Sequence, residues 1–230
     1  MRNIFIACDT NSVQKIKSII KNTQIKIKGY KIGYKLGLEF FYSKNGRKFI
    51  EKTKIKNLWL DIKIFDIPNT SSAAIKSLKD LKNISYITLH VSSGFEALNS
   101  IKKTVKKHNK KLKLLGVTVL TSFSDSSIKR TGHTKSIKEI VKKQAALAKA
   151  SKLDGVVCSA KEIKYIKKIC KKMEIVTPGI RFKNEKLNDQ KRVMSPKKAF
   201  DNGATSIVMG RSIIKGNIKK NIQNLIKSLN

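Results

Sequence analysis

"LWLDIKIFDIPNT", residues 58–70, sets an apolar, strand-like run against two carboxylates and an ammonium. Leu58, Trp59 and Leu60 have the character of a buried strand, yet Asp61, Lys63 and Asp66 follow at once and Pro68, Asn69 and Thr70 stop the run. Side chains alternate along a strand, so Trp59, Asp61 and Lys63 share one face while Leu58, Leu60 and Ile62 share the other. A charge taken out of water at a strand end is costly unless it is paired or used. The stretch is therefore either a structural ion network or the start of a reaction centre, and the rest of the chain discriminates between them.

Outward from this stretch, apolar runs alternate with amphipathic segments eight times. The runs are residues 3–9, 27–33, 57–63, 85–91, 113–121, 154–159, 173–180 and 205–211. Each is followed by a helical pattern, such as the last one through Ile213, Ile214, Ile218, Ile222, Leu225 and Leu229. Two of these helices are expected to open on capping boxes, Ser136-x-x-Glu139 and Ser159-x-x-Glu162. Eight strand–helix units predict a (β/α)8 TIM barrel, one domain over residues 1–230. A doubly wound open sheet alternates in the same way, and the polar residues decide between them. In a barrel, chemistry gathers at the carboxyl ends of the strands. Asp9, Lys31, Asp61, Lys63, His90, Thr121, Ser159, Thr177 and the pair Gly210-Arg211 fall at the ends of these runs.

Composition bounds the partners. The 230 residues are 40% hydrophobic and 29% charged, as in a folded globular chain. No apolar window reaches the roughly 18 residues of a membrane span, and "MRNIFIACDT" turns polar too soon for a signal peptide, so a cytoplasmic protein without a membrane partner is expected. Cys8, Cys158 and Cys170 fit no metal or redox spacing and read as reduced thiols. The net charge of +36 invites a nucleic-acid reading. Lysine spread along the whole length supplies it, however, with no aromatic-interleaved basic motif, and an excess of lysine, isoleucine and asparagine is what an AT-rich coding sequence produces. No specific nucleic-acid partner is expected, only a positive field that gathers small phosphorylated anions.

Two constellations carry chemistry. On strand parity, Lys31 is the lysine of the second run that faces the mouth, where it would join Asp9, Asp61 and Lys63, with Asp66 just beyond. The second is suited to phosphate: "VTPGIR" and "VMGRS" end the seventh and eighth runs, where such barrels commonly hold one. There Gly210 would let backbone amides approach an anion and Arg211 would grip two oxygens. His90 is either an acid–base group or an orienting histidine, and His108 and His133 lie in solvated, lysine-rich stretches. No histidine spacing suits a metal and no glycine-rich nucleotide loop is present, so neither metal nor cofactor is expected.

These residues resemble the orotidine 5′-phosphate decarboxylase family over essentially the whole chain. "LDIKIFDIPNT" is similar to its Asp-x-Lys-x-x-Asp-Ile-Pro-Asn-Thr signature, and "VTVLTS", "LDGVVCSA", "VTPGIR", "DQKR" and "GRSI" resemble further family segments in the same order. The resemblance implies a cofactor-free conversion of orotidine 5′-phosphate to UMP and carbon dioxide in pyrimidine biosynthesis. It implies Lys63 as the proton donor at carbon 6, Asp61 beside the substrate carboxylate, and Lys31 and Asp9 on the ribose hydroxyls within a charge network. Asp66 and Ile67 would come from the other subunit of a homodimer, with Thr70 also among the substrate-binding residues. Thr121 would contact the base or its closing loop. Arg181, Gln190, Gly210 and Arg211 would hold the phosphate, and "FKNEKLNDQK" would close over the ring. Magnesium-dependent phosphosugar decarboxylases and aldolases of the same superfamily share Asp-x-Lys-x-x-Asp but use a glutamate on the second strand, a position read here as Lys31. They are the rival enzyme class; a basic nucleic-acid-binding protein is the rival outside enzymes.

Overall fold

A computed structural model describes residues 1–182 and 194–229. Eight apolar runs pair side by side as parallel strands: β1 Arg2–Ala7, β2 Tyr30–Gly37, β3 Leu58–Ile64, β4 Ile84–His90, β5 Lys113–Val117, β6 Gly155–Val157, β7 Glu174–Thr177 and β8 Ser206–Met209. They follow chain order, and β8 returns to β1 to close the barrel. Around them run α1 Val13–Thr23, α2 Leu38–Phe41, α3 Gly46–Lys52, α4 Pro68–Ser77, α5 Gly94–His108, α6 Asp125–Lys129, α7 Ile137–Ala150, α8 Ile163–Ile169, α9 Pro196–Asp201, α10 Arg211–Ile214 and α11 Ile218–Leu229. The predicted (β/α)8 fold is the observed one.

Strand alternation divides the core into two layers. Leu58 and Leu60 of β3, with Ile4 and Ile6 of β1, face outward into the apolar stripes of the helices, including Ile16, Ile19, Leu98 and Ile101. Trp59 faces the axis with Phe5, Ala7, Tyr86, Leu115, Val176 and Val208. Edge-to-face contacts of Phe5 with Trp59 at 5.1 Å and with Tyr86 at 5.2 Å fill the barrel, so its interior is a packed plug rather than a channel. The plug closes the barrel beneath the carboxyl ends of the strands and leaves those ends as the floor of a cavity.

Two expectations are corrected here. The second strand is not 27–33 but Tyr30–Gly37, because Ile27 to Tyr30 close a tight turn in which the Tyr30 amide donates to the Ile27 carbonyl at 3.0 Å. Gly29 supplies the φ of +82° that this turn requires. The capping box at Ser136 and Glu139 is observed, whereas the helix expected to open at Ser159 begins four residues later at Ile163. Glu162 still accepts from the Ser159 amide at 2.8 Å, closing a buried turn ahead of the helix.

Candidate active site

β3 delivers the central charges through an irregularity. Leu60 pairs with Ile87 and Ile64 with Leu89, so Asp61, Ile62 and Lys63 on β3 stand opposite the single residue Thr88 on β4. This bulge turns Lys63 into the left-handed region at φ +47°, a conformation that costs a non-glycine residue about 1–2 kcal/mol. The Lys63 ammonium thereby reaches Asp61 Oδ1 at 2.9 Å. Lys35, near the carboxyl end of β2, donates to Asp61 Oδ2 at 3.2 Å and to Asp9 Oδ1 at 3.2 Å. The result is an alternating chain, Asp9–Lys35–Asp61–Lys63, across three neighbouring strands.

Burial is the largest influence on both inner members and opposes their charge, but the partners outweigh it. Lys35 and Lys63, with the Thr88 hydroxyl, hold the Asp61 carboxyl below the usual aspartate range. Asp61 and Asp9 hold the Lys35 ammonium above the usual lysine range. Both groups therefore stay ionised at neutral pH. His90 is pushed down by burial and by Lys63, so it stands neutral beside the network, its ring 5.5 Å from that of Phe65.

The network forms one side of a cavity of about 510 Å³, and the loops after β7 and β8 form another. Thr121, Arg181, Gly210 and Arg211 line it together with Asp9, Lys35, Asp61 and Lys63. Arg181 is buried, and its Nη1 donates to Ser212 Oγ at 3.2 Å, which ties the β7 loop to the start of α10. A side chain on Gly210 would stand 3.5 Å from the Ala7 Cβ and 3.8 Å from Asp9 Oδ2, so glycine keeps that corner of the cavity open. A larger cleft of about 1880 Å³ lies on the outer face against α1, β2 and α3. Volume alone would favour it. Chemistry favours the mouth, where carboxylates, ammonium groups and guanidinium groups converge on one enclosed space, whereas among the described residues no carboxylate lines the outer cleft.

The structure brings together Asp9, Asp61, Lys63, Thr121, Arg181, Gly210 and Arg211 from the expected set. It does not bring in Lys31, which is exposed near the amino end of β2, pairs in register with Asn3 and borders the outer cleft. Lys35 holds the position expected of Lys31. Both residues lie on the axial face of β2, but only the later one reaches the mouth once the turn at Gly29 has delayed the strand. Asp66, Ile67 and Thr70 are exposed and lie outside this cavity's lining; an Asp66 carboxylate oxygen accepts from the Ile67 amide at 2.7 Å. Gln190 and most of "FKNEKLNDQK" lie outside the described residues. Sequence reasoning missed Lys35 and Thr88. The repeat of lysine four residues after Lys31, "KIGYK", was the signal for Lys35. Among the described residues, no group of three histidine, cysteine, aspartate or glutamate side chains could hold a metal ion.

A closed parallel barrel with a lysine–aspartate chain and two arginines at its mouth defines a class: (β/α)8 enzymes that act on an anionic substrate through fixed charges. Within that class the sequence pattern of the orotidine 5′-phosphate decarboxylase / HUMPS family matches residues 2–221, and the chain belongs to that family. The orotidine 5′-phosphate decarboxylase of Wolbachia pipientis subsp. Culex pipiens (strain wPip) is 37% identical over 233 aligned positions, covering 100% of this chain and 99% of that protein. The orotidine 5′-phosphate decarboxylase of Wolbachia sp. subsp. Brugia malayi (strain TRS) is 39% identical and covers both chains fully, at 100% each. Among solved structures, that of orotidine 5′-phosphate decarboxylase from Lactobacillus acidophilus superposes with a TM-score of 0.82 at 30% identity, covering 100% of both chains.

Proposed function

We propose that this chain converts orotidine 5′-phosphate to UMP and carbon dioxide, with Lys63 as the proton donor. The observation that carries this reading is the Lys35–Asp61–Lys63 array in the same cavity as Arg181 and Arg211. Loss of carbon dioxide from a pyrimidine ring leaves an electron pair in the ring plane, where it is poorly delocalised. A site without an electron sink must therefore stabilise that charge electrostatically. The Lys63 ammonium, held on a strained bulge against Asp61, supplies a fixed positive charge and then a proton to carbon 6. Asp61 is kept ionised, and a carboxylate about 4 Å from it would be repelled by about 4 kcal/mol at an effective dielectric near 20, a repulsion relieved as carbon dioxide departs. Asp9 and Lys35 suit the ribose hydroxyls, Thr121 the base, and Arg181, Arg211 and Gly210, with Gln190, the phosphate. Binding energy from that remote phosphate would serve the reacting end.

The reading includes a cytoplasmic homodimer of single-domain subunits with shared sites. Phe65 and Ile67, which flank Asp66, are 62% and 66% exposed, and Phe95 is 42% exposed. A second copy laid on this apolar rim would bury those side chains and carry Asp66, Ile67 and Thr70 to its neighbour's cavity. The rival magnesium-dependent chemistry needs a carboxylate where Lys35 stands. Carbon dioxide release from orotidine 5′-phosphate, measured with excess EDTA, tests the proposal: turnover should be unchanged. Activity that disappears with EDTA and returns with magnesium would overturn it.

A further inference from the structure

Three residues of β3 face one residue of β4 at the bulge, so the regular ladder cannot serve every backbone amide there. The Lys63 amide is met instead by a side chain: it donates to Thr88 Oγ1 at 3.0 Å. The Thr88 hydroxyl in turn donates its proton to Asp61 Oδ1 at 2.8 Å, and Thr88 is fully buried at 0% exposure. Asp61 Oδ1 also accepts from the Lys63 ammonium. A closed ring results, from the Lys63 amide through Thr88 and Asp61 to the Lys63 side chain. One hydroxyl thus uses its acceptor on the backbone of one charged residue and its donor on the side chain of the other.

We propose that Thr88 is a positioning residue for the reaction. Its hydroxyl fixes the left-handed turn at Lys63 and the orientation of the Asp61 carboxylate, and so sets where the ammonium stands relative to the reacting carbon. Valine would fill the same volume but could satisfy neither neighbour. Serine would keep both hydrogen bonds and lose one methyl group. The inference rests on the decarboxylase reading, and its test separates the two.

Steady-state kinetics with orotidine 5′-phosphate should show kcat of Thr88→Val reduced about 10- to 100-fold, the scale of a lost hydrogen bond to a charged group. KM and the Kd for UMP should stay within about threefold, because phosphate and ribose contacts are remote from Thr88. Thr88→Ser should return kcat to within about threefold of wild type. If Thr88→Val does not fold, Thr88→Ala takes its place in the same comparison with Thr88→Ser. A folded hydroxyl-free variant with wild-type kcat would overturn the inference alone. So would equal losses in the serine and hydroxyl-free variants, which would mean that packing matters and the hydroxyl does not. A wild-type protein that releases no carbon dioxide from orotidine 5′-phosphate would overturn the functional reading and this inference with it.

Discussion

Lys31 and Lys35 share a strand, a face and a side chain, yet among the described residues only Lys35 is paired with carboxylates. Lys35 lies between Asp9 and Asp61 with its side chain 12% exposed, while Lys31 is exposed near the far end of the same strand. Removing Lys35 would leave Asp61 with one cation instead of two and Asp9 without the ammonium that bridges it to the centre. Lys35→Ala should lower kcat/KM about a hundred- to a thousandfold, the range for loss of one preorganised electrostatic group. Lys31→Ala should stay within about twofold, as surface substitutions generally do. Parallel kinetics on the two variants decide the matter; comparable losses would return Lys31 to the site. At this scale the sequence showed which residue types were involved and which face they occupied. It did not give the height along the barrel axis, because strand parity repeats every second residue.

At the scale of elements, the site is built where regular structure stops. β1, β7 and β8 end at Ala7, Thr177 and Met209, so Asp9 and Arg181 stand on the loops just beyond and Gly210 leads straight into Arg211, the first residue of α10; none of them is on the strands themselves. β3 carries Asp61 and Lys63 on a bulge that the hydrophobic pattern does not announce, since after the apolar run Leu58–Leu60 charged and apolar residues alternate from Asp61 to Ile64 without interruption. The division of labour between these elements is testable. If the β8 loop serves the phosphate and the β3 bulge serves the reacting carbon, Arg211→Ala should raise the KM for orotidine 5′-phosphate strongly, by about a hundredfold. The slower decarboxylation of phosphate-free orotidine should change by less than about threefold. Equal losses with both substrates, measured side by side, would place Arg211 in support of the fold or of the reacting end.

For the whole molecule, the proposed dimer would make the rim around Asp66 part of its neighbour's site. If Asp66 serves the neighbouring subunit of the proposed homodimer, Lys63→Ala and Asp66→Asn should each yield poorly active dimers. In a mixed dimer with two-fold symmetry, one site receives both lesions and the other receives Lys63 and Asp66 intact. Random exchange makes half of the dimers mixed, each with one good site of two, so activity should recover to roughly a quarter of wild type. Exchange verified by mass spectrometry without recovery would mean that Asp66 acts within its own chain. The charge of +36 has no part in this test: among the described residues the lysines are spread around the helix layer, and only Lys35 and Lys63 line the cavity.

The sequence by itself determined the barrel, because eight apolar runs spaced by amphipathic helices leave few ways to bury both faces of a parallel sheet. It also determined most of the mouth, because Asp61, Lys63 and Arg211 sit at run ends where an apolar core would not place them. Only the tertiary structure decided that the turn at Gly29 shifts β2 and brings Lys35 to the network. Only there does Thr88 become visible, since a threonine within "SYITLH" is ordinary strand composition until the bulge opposite it exposes an amide to satisfy. The physical reason is common to both. Periodicity fixes which side of a strand a residue faces, whereas register between strands depends on turns and bulges that close only when distant segments meet.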